Sequence, residues 1–156
     1  MNTRNSFLAV LLILATANCN AKPGQLVAVL PAHEVKIVPN LFLRKMTRKV
    51  TGTWQPTKAD LGRLEADLPK ISQMTIDGWP ASIRIEHPDR YFRQYVAVLV
   101  DGRKEIFINA LCDEVQPPPD WHTRLAIYSD GATCFWRAFY DPATGEFSEL
   151  DINARA

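Results

Sequence analysis

The chain reads as an α+β fold: one main helix packed on a curved antiparallel sheet of four to six strands. Three observations predict it. Leu61, Leu64, Leu68 and Ile71 recur at three- and four-residue spacing behind a helix-start signal. Asp101-Gly102 separates two long runs rich in β-formers. After residue 112 the only repeated pattern is short β-rich runs between turn sequences, which places the helix before most of the sheet.

Met1 to Ala21 has the layout of a cleavable export signal, with basic Arg4, the apolar run Phe7 to Ala17, and small residues at Cys19 and Ala21 before Lys22-Pro23-Gly24. The apolar run is shorter than the roughly 20 residues of a membrane-spanning helix. Cutting after Ala21 removes 21 of 156 residues and leaves a single domain of 135, residues 22–156. It also discards Cys19, so Cys112 and Cys134 remain as an even pair suited to an oxidising compartment. Two other cuts are conceivable. Cys19 could be the lipidated first residue of an envelope lipoprotein, although Thr16-Ala17-Asn18 before it fits such a site poorly. A cut at Ala17 would leave Cys19 as an odd thiol.

Residues 22 to 43 are apolar but broken by Pro23, Pro31 and Pro39, which predicts extended segments laid on the domain rather than a helix. An apolar segment of this kind is better paired within its own chain than left as an exposed edge. The run 46–54 is β-branched and reads as a strand. Thr57 then caps the helix, with Asp60 in the capping-box position, and Pro69 ends or bends it. Gly78, Pro80 and Pro88 make 74–89 mostly loop, with room for a short strand at Ser82 to Glu86.

Tyr91 to Val100 and Arg103 to Cys112 form the hairpin. Apolar residues fall on one parity in each strand (Phe92, Val96, Val98, Val100 and Ile106, Ile108, Ala110, Cys112), which predicts one dry face and one amphipathic face. Pro117-Pro118-Pro119 excludes a strand over Asp113 to His122. Leu125 to Ser129, Thr133 to Tyr140 and Glu146 to Asn153 complete the expected strands, separated by Asp130-Gly131 and by Asp141-Pro142-Ala143-Thr144-Gly145. One helix followed by antiparallel strands has the cystatin-like order, a shape analogy that carries no function.

The charge balance excludes one function class. Without Arg4 the basic and acidic groups number 17 each, so nothing draws the protein to phosphate backbones at long range and no nucleic-acid partner is expected. The cluster Arg44, Lys45, Arg48 and Lys49 reads as a solvated strand or loop face. No second long apolar segment follows the signal, so membrane attachment would depend on lipidated Cys19.

Cys112 ends one expected strand and Cys134 begins another, so a disulfide between them is the strongest specific reading. Closing that loop stabilises by about 3 kcal/mol through the unfolded chain. There is no CxxC, no HExxH and no calcium-loop pattern, so neither a metal nor another cofactor is expected. His122 with Asp120 and Ser129 could be written as a hydrolytic triad, but no GxSxG elbow supports it. Trp121 in the proline-rich loop, His122 beside it and Trp79 in the 74–89 loop are the expected binding residues. Among them Trp121 is the one expected to be partly exposed, and the strand aromatics are expected in the core.

The string YSDGATCFWRAFYDPATGEFSELDINARA, the hairpin RQYVAVLVDGRKEIFINA and the W-x-P at Trp54 resemble a group of small exported proteins of Gram-negative bacteria. The likeness runs from Trp54 to Ala156 and implies an exported bacterial single domain. It transfers no activity and no catalytic motif. The expectation is therefore a non-enzymatic periplasmic or secreted binding or inhibitor-like domain whose partner is another protein or an envelope component. The alternatives are an envelope lipoprotein anchored through Cys19 and a small hydrolase using His122 with a nearby carboxylate. Intact mass of protein from its native host, before and after alkylation, should give a chain starting at Lys22 with no free thiol. A diacylated or triacylated chain starting at Cys19 would establish the lipoprotein instead.

Overall fold

The computed structural model describes residues 26–41 and 48–154. The signal segment, Cys19 and residues 42–47 lie outside them. The helix α1 spans Lys58–Asp67. Its capping box is complete: the Asp60 amide donates to Thr57 Oγ1 at 3.2 Å, and the Thr57 amide donates to Asp60 Oδ2 at 2.9 Å. The hydrogen bonds from Thr57 hold the Asp60 carboxyl below 3.8. At Pro69 the helix tightens into a 3-10 segment, Leu68–Gln73.

Six strands follow the chain as β1 Val27–Val29, β2 Val50–Thr53, β3 Phe92–Val100, β4 Arg103–Leu111, β5 Phe135–Asp141 and β6 Glu146–Ile152. Asp101 and Gly102 both have positive φ, 50° and 81°, and this turn twist suits a two-residue hairpin. The sheet order is β1-β3-β4-β5-β6, and β2 also pairs with β3. Both short strands therefore lie along the same edge of β3. β1 runs parallel to Arg93–Tyr95, while β2 runs antiparallel to Val98–Val100. The α+β class holds, but the sheet is mixed rather than purely antiparallel because the chain enters alongside β3 in the same direction.

The hairpin register corrects the reading of the faces. Val100 pairs with Arg103 and Phe92 with Leu111, so even positions of β3 share a face with odd positions of β4. A two-residue loop forces this inversion of parity. The result is a sheet with two dry faces. One packs Tyr95, Ile106, Ile108, Trp136 and Ile152 beneath Leu64, Leu68 and Ile71. The other packs Val96, Val98, Phe107 and Phe139 beneath Leu30, Val38, Leu41 and Trp121. The apolar N-terminal segment is thus intramolecular core over its described part. Past β1, its prolines start 3-10 turns at Ala32–Lys36 and Val38–Asn40 rather than extended chain.

Leu125 to Ser129 is not a strand, nor is Ser82 to Glu86. The first of these segments lies over the second face, where side chains rather than a neighbouring strand satisfy its backbone. Gln94 Nε2 donates to the carbonyls of Trp121 (2.5 Å) and Arg124 (2.7 Å), and its Oε1 accepts from the Ala126 amide at 2.8 Å. Asn109, the cross-strand partner of Gln94, donates to Gln94 Oε1 and to the Ala126 carbonyl, both at 2.9 Å. Glu34 Oε2 accepts from the Leu125 amide at 2.9 Å. All three side chains are buried, where each such bond forms in low dielectric and its loss strands a backbone group. Gln94→Ala should therefore cost about 3 kcal/mol in urea unfolding, whereas an exposed change such as Gln73→Ala should cost under about 0.5 kcal/mol.

Candidate functional site

Cys112 and Cys134 form a disulfide with Cα atoms 4.7 Å apart, tying the end of β4 to the start of β5. The Cys112 amide also donates to the Cys134 carbonyl at 2.8 Å. This pair suits an oxidising location, and no described helix is long and apolar enough to cross a membrane. The expected binding trio is divided by the sheet. Trp79 is half-buried against the helix-side core. Trp121 is only 9% exposed and packs on the other face, edge-on to Phe92 at 5.5 Å, so its expected partial exposure is corrected. The prolines around it keep the backbone at the surface while the indole turns inward. His122 is exposed, its ring 4.2 Å from Trp121. Asp120 faces Arg124 at 3.5 Å, and among the described residues no hydrogen bond joins His122 to Asp120 or Ser129.

At the disulfide end a cleft of about 450 Å³ is lined by Arg84, Glu86, His87, Arg90, Asp113 and Glu114 among others, and a second set of solvent-facing polar features lies at the opposite end of the sheet, around the 101–102 and 142–145 turns. The helix sets the position of the second turn. Tyr140 donates to Asp67 Oδ2 at 2.7 Å, Lys70 pairs with Asp67 at 2.7 Å, and Lys70 Nζ donates to the Gly145 carbonyl at 3.0 Å. Lys70 and Tyr140 hold the Asp67 carboxyl below its ordinary value, and burial together with Asp67 raises the Tyr140 phenol. Gly145 has φ 73°, and a Cβ there would stand 2.9 Å from Asp67, so the turn requires glycine.

On the helix side of this end, a cleft of about 410 Å³ is floored by Trp54 and ringed by Asp60, Arg63, Arg103, Lys104 and Asp141. The indole is fixed by its Nε1 donating to the Glu105 carbonyl at 2.9 Å. Lys104 Nζ sits 5.3 Å from the indole centroid, a cation–π contact. Arg63 pairs with Asp60 at 2.8 Å, and Arg103 pairs with Asp141. Three cations thus surround one aromatic floor, two of them held by carboxylates from their surroundings.

On the other face of the same end lies a smaller depression of about 260 Å³, lined by Arg48, Val100, Glu105, Asp141, Glu146 and Phe147 among others. Glu105 is only 3% exposed. One carboxylate oxygen takes a short ion pair from Arg48, which also reaches Ser148 and Glu149, each at 3.3 Å, and lies over the Phe139 ring at 5.6 Å. The second oxygen, Oε2, is buried without a partner among the described residues. Burial pushes the Glu105 carboxyl up, and Arg48 only partly opposes it. Arg48 is therefore a structural cation of the sheet face, not part of a solvated basic run. A bulge in β6 beside it, where Glu149 has φ 53°, lets the strand turn Glu149 toward Arg48.

Sequence reasoning placed Arg48 only in a solvated basic run and did not single out Glu105. The available signal was an acidic residue inside an otherwise apolar strand, on the parity that a two-residue turn places against Val98. Among the described residues no group of three His, Cys, Asp or Glu side chains is gathered to hold a metal. Protein-family models, curated proteins and solved structures give no match to this chain.

The raised Glu105 pKa fixes the sign of a pH effect. The folded state binds this proton more tightly than the unfolded chain, so the contribution is greatest below about 4.5 and is lost as pH rises through the folded value. Thermal melts from pH 4 upward, about the range where this proton is lost, should show Glu105→Gln gaining on wild type as pH rises. A difference independent of pH would contradict the assignment.

Proposed function

We propose that this chain is an exported, non-enzymatic binding domain of the bacterial periplasm or exterior, acting on another protein of the envelope. The observation that carries the reading is the Trp54 cleft. Its indole is locked by a backbone hydrogen bond, Lys104 stands over its face, and Arg63 and Arg103 are positioned by Asp60 and Asp141. Cations fixed in advance around an aromatic floor lose little freedom when an anionic group arrives, and rim charges of this kind set partner choice and association rate. An acidic segment of a partner protein fits this chemistry. The disulfide supports an oxidising compartment, and the signal-like first 21 residues support export.

The reading is tested by titrating isotope-labelled protein with a short polyglutamate peptide. Saturable shifts are expected at the Trp54 indole and at the amides of Lys104 and Ala143, weakening as salt is added. Lys104→Glu should weaken binding about tenfold while moving the melting temperature little, since the residue is exposed. Shifts that never saturate, or that Lys104→Glu leaves unchanged, would count against an acidic partner at this cleft.

A further inference from the structure

The depression around Glu105 faces the other way from the Trp54 cleft and shares only the Arg103–Asp141 pair with it. We propose that it is a binding site for a protonated primary amine, with Glu105 as the deep carboxylate. This rests on the reading that the turn end is the binding end of the domain, and it adds a second ligand chemistry there.

Three features carry it. First, the charge of the lining is unbalanced. Asp101, Glu105, Asp141 and Glu146 contribute four carboxylates against Arg48 and Arg103. Both arginines are already committed, Arg48 to Glu105 and Glu149 and Arg103 to Asp141. Second, Glu105 is a buried lining carboxylate with one oxygen engaged by Arg48 and the other, shielded from solvent, without a donor among the described residues. A buried acceptor left in this state is costly, and a donor that completes it recovers that cost. Third, half-buried Phe147 gives the site apolar wall as well as charge, with Val100 buried behind the lining. An alkylammonium presents three donors on a slim apolar stem, so it satisfies the acceptor and the wall together. A guanidinium is planar and bulkier, and Arg48 already presents one to the far oxygen of the same carboxylate. Glu146 is exposed and forms no ion pair among the described residues, so it stands at the mouth as a second acceptor.

Two sources share this chemistry, a free alkylamine and a lysine side chain of a partner. The probes are n-butylammonium for the first and an acetyl-Gly-Lys-Gly-amide peptide for the second, with butanol and the acetyl-lysine peptide as uncharged controls. Amide shifts at Glu105, Glu146 and Phe147 should saturate for the amines, with dissociation constants on the order of millimolar for so small a ligand, and not for the controls. The amine that binds more tightly identifies the source. Glu105→Gln should weaken binding about tenfold, the loss expected for a charge-assisted hydrogen bond. Should that variant not fold, Glu146→Gln at the exposed mouth should still weaken binding about threefold. Butanol matching butylammonium, shifts that never saturate, or full binding by folded Glu105→Gln would overturn the proposal. Polyglutamate failing while butylammonium binds would remove the acidic-partner reading and leave this one standing; the reverse would do the opposite.

Discussion

The structure depends on a sheet that is dry on both faces. β3, β4 and β5 are buried along nearly their whole length, and a sheet of this kind must be covered twice. The described residues include one α-helix, which covers one side. The second cover is assembled from irregular chain: the turns after β1 and the loop that the disulfide tethers at its root. Irregular backbone is costly to bury because its amides and carbonyls lack a ladder. Gln94 and Asn109 solve this by standing in the middle of the second face and acting as ladder partners for residues 121 to 126. Glu34 does the same for Leu125 from the other piece of cover, so the two pieces are joined to each other as well as to the sheet.

This division of labour leaves the two ends of the sheet unequal. At the disulfide end, cover and crosslink partner some of the buried polar groups, while Trp136 Nε1 and Arg137 Nε and Nη1 are buried with no hydrogen-bond partner among the described residues. Among the partnered groups, Arg93 is buried yet donates to Glu65, the Tyr95 hydroxyl and the carbonyls of Pro88, Asp89 and Tyr91. At the turn end the described cover stops, and the charged residues there are arranged around depressions on both faces. Rigid strands fix the charged side chains that present themselves at the turn end.

The local signals were legible in the sequence because they are local. The Thr57–Asp60 capping box, the Asp101-Gly102 turn, the Asp141 to Gly145 turn and the Cys112–Cys134 pair each depend on residues whose chemistry fixes geometry over a few positions. What was not legible was long-range. The parallel pairing of β1 with β3 depends on where the chain enters the sheet, which no three-residue strand announces. Leu125 to Ser129 is a short apolar run such as a strand shows, but its backbone partners are side chains 17 to 91 residues away. Trp121 was misjudged because prolines report on the backbone, not on the direction of the side chain. Glu105 and Arg48 are 57 residues apart and meet only once the hairpin parity is inverted by its two-residue loop.

The most direct measurement is native-state hydrogen exchange at the Leu125 and Ala126 amides. Both lie in irregular chain, and both donate to buried side-chain oxygens of Glu34 and Gln94. If the loop is the second cover of the sheet, these two amides exchange as slowly as those at the centre of β4, through opening of the whole domain. Exchange at the rate of an open loop, with β4 still protected, would contradict a two-sided core built on Gln94 and Asn109.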